Sequence, residues 1–325
     1  MPATPCRMML ALASALLLQV VSPIEAVAQQ YPSKPIRILV GQALGGGTDL
    51  LARVVAEKLR DSLKQPVLID NKAGAAGMIA SKLAAEASPD GYTLLTAGMS
   101  STVSPSLFKA VPYDAVNGLQ AIAPLMSFPF AIVVNNKVPA NNLKEFVEFV
   151  KKNAAGLNVA SAGATTTVTA ELFSQMVGTK FTFIPFNGSA PAIVSVIGGD
   201  SHAMFSDLPS AMQHVKSGSI RAIATSGDKR SLQAPDIPTA KEAGMPDFVV
   251  SSWYGMFAPA KTPVDIVNLL NAQFRTIVMQ PDVVTKLAGM GGEPFVDSVE
   301  GFSRVYQGDL ARWKRVIVQG KIPLL

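Results

Sequence analysis

Reactive side chains are scarce in this sequence. It contains two histidines and one cysteine. His202 and His214 fit neither H-x₃-H nor H-E-x-x-H, the spacings that bring imidazoles together around zinc. Each reads as an ordinary solvated or core residue. No G-x-S-x-G nucleophile elbow occurs. Asp207 in "FSDLP" follows a strand-like segment and could act as a base, but no nucleophile, metal ligand or cofactor motif stands beside it. It reads either as a cap before Pro209 or as a cleft residue facing an ammonium group. No catalytic residue, metal site or cofactor is expected.

The chemistry that remains is anion binding. "GQALGGGTD" (41–49) sits between the apolar run "IRILV" and the helical "LLARVVAEKL". A glycine-rich turn into a helix leaves backbone N–H groups and the positive end of the helix dipole facing outward. A phosphate-binding P-loop would need Lys where Gly47 stands, and the dinucleotide fingerprint fails at Ala43. A carboxylate-sized anion fits, and so does a plain tight turn. Other strand ends also finish in small polar residues. "LLTAGMSST" offers Gly98, Ser100, Ser101 and Thr102. "VASAGATTTVT" offers Ser161, Gly163, Thr165, Thr166 and Thr167, and "IPFNGSAP" offers Asn187, Gly188 and Ser189. Ser189 is placed to cap a helix, with Pro191 in its first turn. Gly46 and Gly188 read as positions where backbone approaches a ligand. Such loops, gathered on one edge, form a pocket of hydroxyls and main-chain donors that can hold a carboxylate without a fixed cation. Binding rather than turnover is the expected purpose.

The elements that must position these loops alternate. Strands at 36–40, 66–70 and 92–98 flank helices at 48–64 and 77–87. Leu50, Leu51, Val54, Val55 and Leu59 mark the apolar face of the first helix. The middle of the chain repeats the scheme, and three helices finish it. This predicts an α/β protein with a mostly parallel sheet, strand C-termini sharing one edge. Extended segments near 122–134 and 248–258 are the natural crossings between two halves, with a ligand cleft between them.

Bulk properties agree. The 325 residues are 49% hydrophobic and 16% charged, with a net charge of +5, enough for a large core and two domains. The basic residues are scattered, so no nucleic acid partner is expected. Arg7, the apolar "MMLALASALLLQVV" and the small-x-small "AVA" predict a secretory signal over 1–28, cut after Ala28. Cys6 would leave with it. No later segment reaches membrane-spanning length.

The stretches "YPSKPIRILV", "GGGTDLLAR", "PVLIDNKAGAAG", "SPDGYTLL", "PFNGSAPAI", "FSDLPSA", "GSIRAIATSGDKRS", "PDIPTAKEAGMPDF" and "SWYGMFAPAKTP" resemble the periplasmic solute-binding proteins of tripartite tricarboxylate transporters, the Bug or TctC-like family. The resemblance implies a two-lobed, type II-like Venus-flytrap fold with two crossing strands and the ligand between the lobes. The first lobe would comprise 29–125 with 252–325, and the second 126–251. The ligand would be a small di- or tricarboxylate, acidic amino acid or aromatic acid. Carried over by position, Ala43, Leu44, Gly45, Gly46 and Asp49 would face it, with Asn71 and Gly74 from the next loop and Met99 and Ser100 from the third. Ser161, Gly163, Thr165, Thr166, Asn187, Gly188, Ser189 and Asp207 would come from the other lobe. The partner would be a two-component membrane permease, and the receptor a periplasmic monomer. Alternatives are a receptor for a membrane sensor and a secreted hydrolase or lyase on the same scaffold. Two departures fall in the ligand loops. The family pattern P-F-x-P-G-G is replaced by "GQALGG", and the loop after Ser161 is shorter and carries threonines where a histidine is common.

Overall fold

The computed structural model describes residues 31–153 and 156–325. The predicted signal lies outside these residues. Strand β1 (Ile36–Val40) buries Ile36, Ile38, Leu39 and Val40 and exposes Arg37. That near-continuous burial is the mark of a strand covered on both faces. It pairs in parallel with β2 (Val67–Asn71) and β3 (Thr93–Gly98), with Val40 opposite Asn71 and Thr96. The three C-terminal ends therefore release their loops at one edge. Helix α1 (Gly47–Leu63) follows β1, and α2 (Met78–Ala85) follows β2. Helix α3 (Ser100–Leu107) leaves β3 directly. On α1 the buried face is Leu51, Ala52, Val55 and Leu59. Leu50, expected on that face, is 45% exposed.

Strand β4 (Leu119–Val134) is 16 residues long and runs through both halves of the sheet. Helix α4 (Leu143–Lys152), β5 (Asn158–Ser161), α5 (Ala164–Val177), β6 (Thr182–Pro185), α6 (Ser189–Gly198), β7 (Ala203–Asp207), α7 (Leu208–Lys216) and β8 (Arg221–Thr225) build the second α/β unit. Strand β9 (Ser251–Pro259) returns, and α8 (Val264–Val278), α9 (Pro281–Gly289), the short β10 (Glu293–Pro294) and α10 (Val299–Gly320) complete the chain. The strand order is β2-β1-β3-β9-β4-β7-β5-β6, with β8 and β10 also on β4. Leu119–Pro129 of β4 pairs with β9, and Phe130–Val134 pairs with β7. β4 and β9 are the crossings.

The expectation of a mostly parallel sheet needs correction. β1, β2 and β3 are parallel, as are β5, β6 and β7. Every pairing made by β4, and that of β3 with β9, is antiparallel. A strand shared by two halves cannot be preceded by a crossover helix in both, so periodicity alone hides its direction.

Aromatic packing holds the crossings. Trp253, Phe257, Phe302 and Tyr306 form edge-on and tilted pairs at 5.0–6.3 Å. The Trp253 indole donates to Asp309 Oδ2 at 2.8 Å, tying β9 to α10. Phe173, Phe205 and Phe248 fill the second unit. Residues Lys34–Leu325 make one compact unit.

Candidate ligand site

The loop from β1 to α1 is held by a buried carboxylate. Asp49 is 1% exposed. It accepts from Arg53 Nε and Nη2 at 3.1 and 3.0 Å, from the Gly45 amide at 2.9 Å and from Asn71 Nδ2 at 2.9 Å. Asn71 also donates to the Gln42 carbonyl at 3.0 Å. The Arg53 hydrogen bonds, helped by Gly45 and Asn71, hold the Asp49 carboxyl down at about 2 against the opposing effect of burial. Asp49 and Asn71, expected to face a ligand, instead spend their polar atoms bracing loop 41–46. Gln42 Oε1 accepts from the Thr48 amide at 3.1 Å. Among the described residues nothing accepts from the Gly47 or Asp49 amides, which remain donors at the α1 N-terminus.

The next loop carries backbone strain. Gly74, Ala75, Ala76 and Gly77 all have positive φ, at 132°, 44°, 53° and 90°. Alanine in this region costs about 1–2 kcal/mol per residue, and such strain concentrates where a backbone must be shaped for function. A Cβ on Gly41 would stand 2.8 Å from Gly77 Cα, so the two loops touch backbone to backbone.

Between them and the start of α3 lies a cavity of about 240 Å³. Gly41, Gln42, Ala43 and Thr48 line it, with Ala73, Gly74, Ala76, Gly77, Met78 and Ser81, then Leu95 to Gly98, Ser100, Ser101 and Tyr113. None of these carries a charge at neutral pH. Thr48 is 4% exposed, and its Oγ1 has no hydrogen-bond partner. The Tyr113 hydroxyl is equally without one. Its neighbours, Ser81 and Tyr306, donate to the Gly77 and Ala115 carbonyls. Burial pushes the Tyr113 hydroxyl up in pKa, so it stays protonated. A buried hydroxyl without a partner costs about 1–3 kcal/mol, and a carboxylate oxygen would relieve that cost.

Of the expected residues, Ala43, Gly74 and Ser100 line this cavity. Leu44 is 75% exposed at the tip of its loop. Gly45 has φ 81°, and Gly46 faces the Gln42 side chain, where a Cβ would meet Oε1 at 2.6 Å. Met99 is buried in the core, and its amide donates to the Trp253 carbonyl at 3.1 Å. In the second unit, Ser161 bonds the Thr167 hydroxyl. Thr166 Oγ1 accepts from the Ala162 amide and donates to the Gly163 carbonyl, both at 2.9 Å. Thr165 is half-buried and gives its carbonyl to Thr169. Asn187 is exposed and Ser189 opens α6. A Cβ on Gly188 would meet nothing within 4 Å, so glycine is required there by φ 104° rather than by close approach. None of these second-unit residues lines the 240 Å³ cavity. Helix α3 does pack against α5, so the Ser100 and Ala164 loops open neighbouring helices.

Residues 51–322 match the model of the tripartite tricarboxylate transporter family receptor, TctC. The chain belongs to this family. Members are periplasmic solute-binding receptors. Protein BugT of Bordetella pertussis is 33% identical, covering 89% of this chain and 90% of its own length. A UPF0065 protein of Bordetella bronchiseptica is 36% identical over 82% and 80%. The solved periplasmic binding protein BugD is 30% identical with a TM-score of 0.72, covering 91% of this chain and all of its own. MatC of Rhodopseudomonas palustris, solved with bound malate, is 30% identical with a TM-score of 0.72 over 88% of this chain and all of its own. An R. palustris protein solved with adipate is 28% identical with a TM-score of 0.75 over 91% and 100%. The two-lobed solute-binding fold of this TctC receptor follows from these likenesses.

Sequence reading missed Ser81 and Tyr113, and it did not single out Gln42 and Thr48 within the 41–49 turn that it read as an anion site. Thr48 had a local signal, since it follows three glycines at a helix start. Tyr113 had none, because only the fold brings it beside Ser81.

Proposed function

We propose that this TctC receptor captures a small carboxylate outside the cytoplasm and hands it to a two-component membrane permease, working as a monomer. The observation that carries the reading is an uncharged cavity at the start of α1 whose lining residues Thr48 and Tyr113 keep buried hydroxyls without a hydrogen-bond partner. An anion there gains hydrogen bonds and the helix dipole, and meets no cation that would hold it too tightly for release. The malate and adipate in the two R. palustris structures support a carboxylate. In this proposal the lobes are 29–125 with 252–325, and 126–251, hinged on β4 and β9. Closure brings the 161–166 and 187–189 loops onto the acid. Calorimetric melting with a panel of organic acids, malate and adipate included, tests this. A cognate acid at one hundred times its Kd is expected to add about 2.7 kcal/mol. A full panel without a shift contradicts the reading.

A further inference from the structure

A groove of about 640 Å³ runs between α5, α10 and the segment that leads into β9. Its polar side comes from α10, where Arg312 and Arg315 stand three residues apart and so share a face. Arg312 is half-buried, with its guanidinium 4.9 Å from the centre of the Trp313 ring. Its Nη1 donates to the Val249 carbonyl at 2.9 Å, and its other N–H groups meet no acceptor among the described residues. Neither arginine forms an ion pair among those residues. Asp309 lies one turn earlier on the helix, but its Oδ2 accepts from the Trp253 indole. Burial holds the Arg312 guanidinium below its usual pKa, with the Asp309 charge opposing and the Arg315 charge adding to the effect. It still carries its charge at neutral pH. Leu172 and Met176, one turn apart on α5, form the apolar walls with Val249 and Val316. Gln175 Nε2 donates to the Val316 carbonyl at 2.9 Å and ties the two helices together. Asp247, which is exposed, is the one carboxylate among the lining residues.

A half-buried guanidinium with most of its donors idle has given up water without gaining an anion, which is unfavourable. A carboxylate lifts that cost, because its two oxygens match the planar fork. Beside apolar walls, such an arginine is the kind of anchor on which protein interfaces concentrate their energy. A flat lipid surface would meet the exposed Arg315 but would not fill a recess walled by Leu172 and Val316. We propose that this groove is an interaction surface for an acidic segment of a protein partner, its carboxylate paired with Arg312 and Arg315 and its neighbouring apolar side chain seated against Leu172, Met176 and Val249. Helix α5 stands in the proposed second lobe and α10 in the first, so a segment held here touches both. That the partner is the membrane permease rests on the proposed function.

Titration calorimetry at low ionic strength tests it with a synthetic octapeptide of leucine and glutamate, against the same peptide with glutamine at every glutamate. The acidic peptide is expected to bind about tenfold more tightly or better, and to lose that margin in about 1 M salt. Amide-resolved NMR is expected to place its shifts on α5 and the second half of α10. Arg315→Gln, at an exposed position, is expected to weaken the acidic peptide by about fivefold, and Arg312→Met, which keeps the stem, by about tenfold. Melting curves establish that each variant folds, and Arg315→Gln decides alone should Arg312→Met not fold. Equal binding of the two peptides, no binding of either, or full affinity in the folded variants overturns the proposal. Sedimentation with phosphatidylglycerol vesicles is the third arm. Vesicle binding that is lost in the variants, with the acidic peptide unbound, gives the groove to a lipid surface and overturns the protein partner. No organic acid enters these measurements, so a failed acid panel leaves the groove standing and a failed peptide leaves the carboxylate reading standing.

Discussion

Asp49 and Asp207 show how position decides what a carboxylate does. Asp49 has Arg53, Asn71 and the Gly45 amide around it, and its carboxyl is held at about 2. It therefore stabilises the fold above the ordinary carboxylate range, and that contribution is lost as pH falls from about 4 through 2. Asp49→Asn is expected to cost about 2 kcal/mol at pH 7 in urea unfolding, with Arg53 left half in water. A loss that is equally large at pH 2 would contradict the ion pair. Asp207 behaves in the opposite sense. Burial raises its carboxyl from 3.8 to about 6, so between those values the folded chain keeps a proton that the unfolded chain has released. Stability then falls as pH rises from about 4 to 6, and the whole penalty is present above that. Asp207→Asn is expected to stabilise the unliganded protein by up to about 3 kcal/mol at pH 7.5 and by nothing near pH 3.5. Destabilisation at pH 7.5 would show that the carboxylate has a partner.

At the scale of elements, the site is a meeting of two loops. Gly41 and Gly77 touch where Gly41 has no room for a side chain and Gly77 is held to glycine by its φ of 90°, and the φ values from Gly74 to Gly77 bend the second loop toward the first. Gly41→Val is expected to cost about 2–3 kcal/mol and to abolish carboxylate binding, because the atom it meets is backbone and cannot rotate away. Unchanged melting and affinity would mean that the loops part freely. Much of this layer was legible in the sequence. β1 is found over 36–40 as read, and α1 begins one residue before the expected 48. Periodicity and glycine punctuation are local signals, and they serve for local elements. Burial direction is not local. Asp49 turned inward because Arg53 one helical turn later and Asn71 from another strand claim it. Leu50 turned outward because Leu51 took the core. Orphaned hydroxyls such as Thr48 are a property of the assembled fold, and no spacing rule announces them.

At the scale of the molecule, β4 is the strand common to both halves and β9 runs beside its first part, and the aromatic clamp of β9 with α10 braces the axis about which closure is proposed. The scheme requires the acid to be held by neutral dipoles on a rigid first lobe before the second lobe closes. Thr48→Val tests that requirement most directly, since it keeps the shape and removes a buried hydroxyl without a partner from a residue of the cavity wall. Titration calorimetry with the acid selected by the melting panel, alongside unfolding of the free protein, gives the two readings needed. The expected result is a loss of about tenfold or more in affinity with the free protein equally stable or about 1 kcal/mol more so. Unchanged affinity in a properly folded Thr48→Val would contradict the account, because the acid would then be bound without the group that the cavity leaves unsatisfied for it.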